Sequence, residues 1–252
     1  MHESQLSEIS NYMVKLLFAR WERLILFAEH VLIHNYRLYS SAIQFHDPLH
    51  PIPYSSCIGM FTYTCIMKDL RCYELRFILH PFIGFVDGTK IDIRRPSVMQ
   101  REFYNKYKGK GHSVKHQSVV TPDGLLICFT HPLVGRHHDI YLLRKSGLRE
   151  KLDELFAGSP DDNPLHFVYG DLGYYVTRRV LCGFKRSRHM TDEQKLLNKV
   201  MSAVRVSVEW GFAWLKTTFP FITTRRNYEI LRRPTGKYTM VRKFMCNNIY
   251  YT

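Results

Sequence analysis

The run Phe82-Ile83-Gly84-Phe85-Val86 leads into Asp87-Gly88-Thr89, and this stretch decides the fold class. A continuous apolar run of this length is typical of a central strand that is buried on both faces of a sheet. Because the run stops at an aspartate and a glycine, we expect the strand to end there and to carry Asp87 at a sheet edge. A second strand of this kind, over 165–169, ends at Gly170-Asp171. The sequence therefore predicts two buried strands that each end in an aspartate.

The segments around these strands alternate between strand and helix patterns. Residues 116–120 and 125–130 flank the turn Thr121-Pro122-Asp123-Gly124, which predicts a β-hairpin. One helix is expected to begin at His138-Asp139 and to run to Leu152, and a longer one begins at a capping box of Thr191 and Gln194. The apolar stripe of the longer helix consists of Leu197, Val200, Met201, Val204, Val208, Phe212 and Leu215. This order predicts a mixed α/β domain with a central sheet flanked by helices.

The net charge of +14 is carried by the later two thirds of the chain. Residues 1–80 contain seven basic and seven acidic side chains, whereas 81–252 contain 29 basic and 15 acidic ones. Residues 172–252 alone contain 16 basic and four acidic side chains. A segment this cationic indicates a polyanionic partner, of which nucleic acid is the commonest. The alternative is a solvated basic face that aids solubility.

The first 51 residues predict a small helical region. Apolar residues recur at three- and four-residue steps from Leu6 to about Ile33, which predicts one long amphipathic helix. A shorter helix is expected from Tyr36 to Phe45, before His46-Asp47-Pro48. Both segments balance acidic and basic residues, so we assign them to packing and not to DNA contact.

The cysteine pattern indicates a reducing compartment, and the hydropathy pattern predicts no membrane span. The six cysteines form no CxxC pair and no His/Cys cluster at zinc spacing, so we expect free thiols. No run of about 18 apolar residues predicts a membrane span, and the first residues lack the pattern of a signal peptide. We therefore expect an intracellular protein without a membrane partner.

Three carboxylates are candidates for chemistry. Asp87 and Asp171 follow the two buried strands, and Glu209 lies near the apolar stripe of the long helix. Carboxylates in such positions need neutralisation, which Mg²⁺ or Mn²⁺ supplies through hard oxygen ligands. Two such ions support phosphodiester cleavage. Each acid also has a structural interpretation, because Asp87 and Asp171 precede turn glycines and Glu209 follows Arg205 by one helical turn.

Five segments in order resemble the DDE-type transposase domain of PIF/Harbinger-like elements. They are Phe85-Val86-Asp87-Gly88-Thr89, Gln117-Ser118-Val119-Val120-Thr121-Pro122-Asp123-Gly124-Leu125, Gly135-Arg136-His137-His138-Asp139, Tyr169-Gly170-Asp171-Leu172-Gly173-Tyr174 and Ser202-Ala203-Val204-Arg205-Val206-Ser207-Val208-Glu209-Trp210. The resemblance covers roughly residues 82–252. More faintly it includes the helix around Met13 to Leu24 and the stretch from Tyr39 to Leu49.

The resemblance implies an RNase H-like fold, two Mg²⁺ or Mn²⁺ ions, and DNA strand cleavage with transfer to target DNA. By position, Asp87 and Asp171 correspond to the first and second catalytic aspartates, and Glu209 corresponds to the glutamate. Asp139 corresponds to a fourth acid that is often counted as a metal ligand. A helix N-cap is the alternative role for Asp139.

The resemblance also implies a DNA-facing basic cluster between Asp171 and the long helix. The cluster consists of Arg178, Arg179, Lys185, Arg186 and Arg188. These side chains are expected to contact the DNA backbone, and the cluster also fits a nuclear-import signal, so we expect a nuclear protein. No basic recognition helix precedes Phe82, which makes a separate DNA-binding accessory protein a further expectation. A homo-oligomer is another.

Residues 52–81 interrupt the pattern as an atypical segment. They show no clean periodicity, and Leu-His-Pro occurs at both edges. We hypothesise a translated intron or late insertion between a helical region over 1–51 and an RNase H-like endonuclease domain over 82–252. Because all three acids are intact, we expect a metal-dependent endonuclease or transposase. The alternatives are a non-catalytic nuclear DNA- or protein-binding factor and a degenerate transposase copy.

Overall fold

The structure is a computed structural model that describes residues 3–44, 82–106, 110–157, 166–218, 228–230 and 233–250. Its helices are α1 (Glu3–Leu26), α2 (Glu29–Gln44), α3 (Gln100–Phe103), α4 (Asp139–Ser146), α5 (Leu148–Leu155), α6 (Asp192–Thr218) and α7 (Thr235–Tyr250). Its strands are β1 (Phe82–Asp92), β2 (Tyr104–Asn105), β3 (Gly111–Val120), β4 (Leu126–Phe129), β5 (Leu133–Val134), β6 (Phe167–Gly170) and β7 (Val180–Cys182).

The strands form one mixed sheet in the order β2-β3-β1-β6-β7, with β4 and β5 paired to β3. The central strand β1 is antiparallel to β3 and parallel to β6, and β6 is parallel to β7. Helices flank the sheet, and two further helices precede it. The expected mixed α/β fold with a central sheet and an N-terminal helical region is therefore confirmed, and the arrangement is that of an RNase H-like fold.

The continuous apolar run of β1 is explained by the two hydrophobic clusters that it supplies. Phe82 and Phe85 lie in a cluster with side chains of α1, α6 and α7, whereas Ile83 and Val86 lie in a cluster with α2, α4 and α5. All four side chains are buried. A strand that is covered on both faces has no solvent-facing positions, so it shows no alternation of polar and apolar residues.

The expected single helix from Leu6 to Ile33 is wrong. The chain leaves the helix at Phe27, which forms an isolated antiparallel bridge with Cys128 of β4. The backbone N–H of Ala28 then donates to the carbonyl of Ile127 at 2.7 Å, and α2 begins at Glu29. The N–H of Phe27 still donates to the carbonyl of Arg23 at 2.9 Å, so the helical hydrogen bonding ends at Ala28, although the sequence keeps its helical periodicity across the break.

Helix α2 is held against the sheet by polar contacts as well as by apolar packing. The buried Ser40 hydroxyl donates to the carbonyl of Phe82 at 2.8 Å. The Tyr39 hydroxyl donates to the carboxylate of Asp123 in the hairpin turn, also at 2.8 Å. These contacts agree with the packing role expected for the N-terminal helices.

Among the other expected elements, the hairpin is confirmed by the antiparallel pairing of β3 with β4. The capping box is confirmed too, since the backbone N–H groups of Thr191 and Gln194 each donate to the other's side chain, at 3.2 and 3.3 Å. The single helix expected from Asp139 to Leu152 is wrong, because Gly147 adopts a left-handed φ of 64° and separates α4 from α5.

Several elements were not predicted from the sequence, among them β7 and α7. Strand β7 extends the sheet beyond β6, and α7 packs against α1, α6 and β4. Cys128, Cys182 and Cys246 are buried free thiols, as expected. None of the described helices has the length and apolarity to cross a bilayer. The proposed insertion over 52–81 and the first three cysteines lie outside the described residues.

A buried lysine connects the last helix to the first. Lys243 of α7 is 1% exposed, and its ammonium donates to the carbonyls of Leu24 and Ile25 at 3.3 and 3.1 Å. Those carbonyls belong to the last turn of α1, which lacks intrahelical partners for them. Burial lowers the pKa of Lys243 from 10.5 to about 7, with the Cys128 thiol opposing that shift.

The lysine predicts a pH dependence of stability. Between pH 7 and 10.5 the unfolded chain holds a proton on Lys243 that the folded protein releases, so the free energy of unfolding rises with pH. The rise amounts to at most roughly 1.4 kcal/mol per pH unit. We expect urea denaturation to show that the free energy of unfolding rises between pH 7.5 and pH 8.5 in the wild-type protein and not in Lys243→Met.

The window ends at pH 8.5 because the cysteine thiols act in the opposite direction at higher pH. Burial raises the pKa of Cys128 to about 11, which makes the folded state less stable as free thiols ionise in the unfolded chain. The same pH dependence in the wild-type protein and in Lys243→Met would exclude Lys243 as its source.

Candidate active site

Two of the predicted acids lie side by side because of the parallel pairing of β1 with β6. The last paired rung joins Val86 to Gly170, so Asp87 and Asp171 are the next residues on the two neighbouring strands. The expected end of the first strand at Asp87 is wrong, since β1 continues to Asp92 with β3 alone as its neighbour. Asp87 thus lies within a strand but at the level where β6 has ended.

Asp139 joins these two aspartates from the start of α4. Its alternative role as a helix N-cap is wrong, because His138 occupies the N-cap position and Asp139 is the first helical residue. A Cβ atom on Gly88 would lie 2.7 Å from the Asp139 carboxylate. The glycine after Asp87 therefore permits the close approach of Asp139 to β1, which the turn interpretation of Gly88 does not explain.

Glu209 faces the first aspartate across an arginine. Arg205 donates to the Asp87 carboxylate at 3.2 Å, and its second terminal nitrogen lies 3.8 Å from the Glu209 carboxylate. Glu209 is on α6, which packs against β1 and β3, and its side chain is 65% exposed. The expected pairing of Glu209 with Arg205 is confirmed, and the same arginine also binds Asp87.

Lys115 neutralises Asp139 in a similar way, and sequence reasoning missed it. Its ammonium lies 3.4 Å from the Asp139 carboxylate and donates to the carbonyl of His137 at 2.9 Å. The only signal in the sequence is a lysine in the otherwise mostly uncharged strand β3. Each of the two cations thus contacts a candidate metal ligand directly.

The protonation of Asp87 reflects these neighbours. Burial raises the pKa of the Asp87 carboxyl, and the Arg205 guanidinium and the backbone N–H of Gly88 oppose that shift. The negative charges of Asp171 and Asp139 raise the pKa further. The three aspartates are therefore close enough to repel one another, as expected for acids that share a site.

A buried tyrosine hydroxyl lies beside the acids. Among the described residues, the hydroxyl of Tyr174 has no hydrogen-bond partner, although it is fully buried. Burial raises its pKa well above 10, and the charges of Asp139, Asp87 and Asp171 act in the same direction. An unsatisfied buried hydroxyl is costly, so this atom is an unusual feature of the site.

The tyrosine ring also explains the spacing of the motif around Asp171. A Cβ atom on Gly170 would lie 2.8 Å from the Tyr174 ring and 3.1 Å from the Val86 side chain. Only glycine leaves room for the ring at this position. The chain therefore turns back after Asp171 and covers the end of β6 with Tyr174.

The residue types at this site suit a divalent cation. All the candidate donors are carboxylate oxygens, which Mg²⁺ and Mn²⁺ prefer. Within the described residues, no three Asp, Glu, His or Cys side chains are grouped closely enough to hold one ion. Arg205 and Lys115 supply positive charge to the acids instead.

The predicted DNA-facing cluster divides into exposed and buried members. Arg178, Lys185, Arg186 and Arg188 are exposed. The prediction for Arg179 is wrong, because this residue is 2% exposed and its guanidinium donates to Asp153 at 2.6 Å and to the carbonyl of His166. Arg179 therefore connects β7 to α5 inside the domain and cannot reach a DNA backbone.

A cavity of about 650 Å³ opens next to the acids. It is lined by Asp171 and Arg205 and by three further cations, Arg186, Lys195 and Lys199. The last two lie on α6, so the helix that carries Glu209 also carries positive charge beside Asp171. Sequence reasoning found Arg186 in this set and missed both lysines, which look like ordinary surface residues of an amphipathic helix.

Comparison with known proteins identifies the family. Residues 86–247 match the family model described as DDE superfamily endonuclease, which covers more than half of the chain. No curated protein and no solved structure matches significantly. The matched range includes all four candidate acids and both cations that contact them.

The arginine between the acids generates a prediction. Because Arg205 favours the ionised form of Asp87, we expect Arg205→Gln to raise the pKa of Asp87 above its wild-type value. Carbonyl ¹³C NMR titration of aspartate-labelled protein measures this pKa, and Asp87→Asn assigns the resonance. Lys195→Gln, which removes a cation from the adjacent cavity, is the matched control. An unchanged pKa in Arg205→Gln would contradict the direct contact.

Proposed function

The chain belongs to the DDE superfamily endonucleases, and from this membership we propose that it cleaves phosphodiester bonds of DNA at the site around Asp87. We propose Asp87, Asp171 and Glu209 as its catalytic acids and Asp139 as a fourth ligand of the same site. The observation that carries the proposal is the position of Asp87 and Asp171 directly after the last rung of β1 with β6.

The four carboxylates would hold two Mg²⁺ or Mn²⁺ ions. When bound, such ions activate the attacking oxygen and stabilise the leaving oxygen in phosphodiester cleavage. Asp87 lies between Asp171 on one side and Arg205 on the other, so it is the carboxylate best placed to be shared. Gly88 keeps the backbone of β1 within reach of Asp139.

Arg205 and Lys115 have a separate role in this proposal. They offset the negative charge of the acids before metal binding, because Arg205 pairs with Asp87 and Lys115 pairs with Asp139. Each cation contacts a single oxygen of its carboxylate, Oδ2 of Asp87 or Oδ1 of Asp139, so the other oxygen would remain available to a metal ion. The guanidinium and ammonium groups would then lie close to the DNA phosphate.

The DNA substrate would approach through the cavity beside Asp171. Arg186, Lys195 and Lys199 line that cavity and can contact phosphates on either side of the scissile bond. Arg178, Lys185 and Arg188 are exposed near the same segment and extend the cationic surface. Contacts of this type position a duplex without reading its sequence.

The finer assignment rests on the order of the motifs. We propose a transposase of the PIF/Harbinger-like type that cleaves DNA and transfers the strand, acts in the nucleus as a homo-oligomer, and obtains sequence-specific recognition from a separate DNA-binding protein. The alternative is a non-catalytic DNA-binding factor derived from such an enzyme. The two ion pairs at the acids favour this alternative if the protein binds no metal, because they already neutralise Asp87 and Asp139.

Removing one acid tests the proposal. We expect Asp171→Asn to lose nicking of supercoiled plasmid in Mg²⁺ or Mn²⁺, by more than the roughly 10–100-fold that loss of a supporting partner costs. DNA binding should be unchanged or tighter, because the substitution removes a negative charge near phosphate. Gel analysis of plasmid nicking and fluorescence anisotropy with a labelled duplex measure the two effects.

Glu150→Gln is the matched control for the loss of one negative charge. Glu150 is an exposed residue of α5 that pairs with its neighbour Arg149. The Glu150→Gln variant should nick plasmid DNA like the wild-type protein. Equal nicking by the wild-type protein and Asp171→Asn would indicate a contaminating nuclease, and a folded wild-type protein that binds DNA without nicking it would favour the non-catalytic alternative.

A further inference from the structure

A second cavity lies at the opposite end of β3 from the acids. Its volume is about 700 Å³, and it forms where β2, α3 and the start of β3 meet. None of the described residues that line it is acidic. Its side chains combine positive charge with aromatic rings and are Arg95, Arg101, Tyr104, Lys106, His112 and Arg136.

The walls of this second cavity are built into the sheet. Tyr104 pairs with His112 in the β2–β3 ladder, and their rings are in edge-to-face contact with centroids 5.4 Å apart. The buried Asn105 side chain donates to the carbonyl of Gly135 at 3.1 Å. Backbone pairing and a buried hydrogen bond therefore hold the cavity open in a defined shape, as expected of a binding site.

Two of the cations are oriented by neighbours, whereas the other two have no such partner among the residues that the structure describes. Arg95 donates to the Gln100 side chain at 2.9 Å, and Arg136 pairs with Glu102 at 2.7 Å. Arg101 and Lys106 are exposed. An arrangement of planar guanidinium groups around a concave surface matches the geometry of phosphate oxygens.

The aromatic residue distinguishes this cavity from a generally basic surface. Tyr104 is 37% exposed although it is a large ring. Cationic grooves that also present an aromatic face are typical of sites for unpaired nucleotides, because the cations hold the backbone and the ring stacks on a base. In intact duplex DNA the bases already stack on one another and offer no such face.

We infer that this second cavity binds an unpaired nucleotide segment of the DNA substrate, with Arg101 and Lys106 on its phosphates and a base stacked on Tyr104. The identity of the nucleic acid rests on the proposed function, whereas the binding chemistry rests on the cavity itself. Strand cleavage and transfer generate unpaired DNA segments, so such a site fits the same substrate.

The distance to the acids allows one DNA molecule to reach both places. Asp87 is paired with Ser118, and His112 lies six positions earlier on β3. Six strand residues span roughly 20 Å. The loop before α4 also connects the two places, because Arg136 lines the second cavity and Asp139 lies beside Lys115.

DNA binding by the 252-residue protein tests the inference, in EDTA so that metal-dependent cleavage is prevented. Fluorescence anisotropy compares a labelled single strand of about 20 nucleotides with its duplex. We expect Tyr104→Ala to weaken single-strand binding by about five- to 150-fold, and duplex binding by much less. Tyr104→Phe should retain wild-type affinity, because it keeps the stacking face.

The charged residues are tested through the salt dependence. For Arg101→Gln/Lys106→Gln, the slope of log Kd against log salt for the single strand should decrease by about one to one and a half. Lys15→Gln/Arg20→Gln removes two exposed cations from α1, outside the cavity, and is the matched control. Its slope should stay close to that of the wild-type protein.

The outcomes separate this inference from the proposed function. The inference is wrong if Tyr104→Ala binds the single strand as tightly as the wild-type protein, or if the two double variants have equal slopes of log Kd against log salt. Neither result would contradict the proposed nicking activity. The expected changes in a protein that does not nick DNA support the cavity as a nucleotide site and contradict the catalytic proposal. A wild-type protein that does not bind the single strand contradicts the inference directly.

Discussion

Electrostatic repulsion between neighbouring carboxylates is the constraint on which the site depends. Parallel pairing of β1 with β6 brings Asp87 and Asp171 together, and the start of α4 adds Asp139. Such a group is unfavourable unless positive charge is supplied. Arg205 and Lys115 supply it in the protein as it stands, and divalent ions supply it in the proposed active state.

The sequence predicts the parts of the fold that local signals determine. The hairpin and the capping box follow from turn and cap residues, and both are present. The break between α1 and α2 could not be predicted, because it results from bonding of Phe27 and Ala28 to β4, about 100 positions away along the chain. Long-range backbone contacts of this kind override a helical periodicity that remains intact.

The same distinction applies to the site. The order of the motifs predicts the acids, and the helical spacing of Arg205 and Glu209 predicts their contact. Neither the contact of Arg205 with Asp87 nor that of Lys115 with Asp139 follows from the sequence, since each joins residues that are distant along the chain. For Arg179 the sequence predicts a DNA contact that the structure excludes. This arginine lies in a cationic segment, but its guanidinium is buried and paired with Asp153 inside the domain.

We propose that the four carboxylates form one metal site, in which Glu209 is the most exposed ligand. Isothermal titration calorimetry with Mn²⁺ on the folded protein, in parallel with Glu209→Gln, tests it most directly. We expect the wild-type protein to bind Mn²⁺, Glu209→Gln to bind it at least about tenfold more weakly, and Glu150→Gln to bind it like the wild-type protein. Equal Mn²⁺ affinity in the wild-type protein and Glu209→Gln, or no binding by the folded wild-type protein, would contradict it.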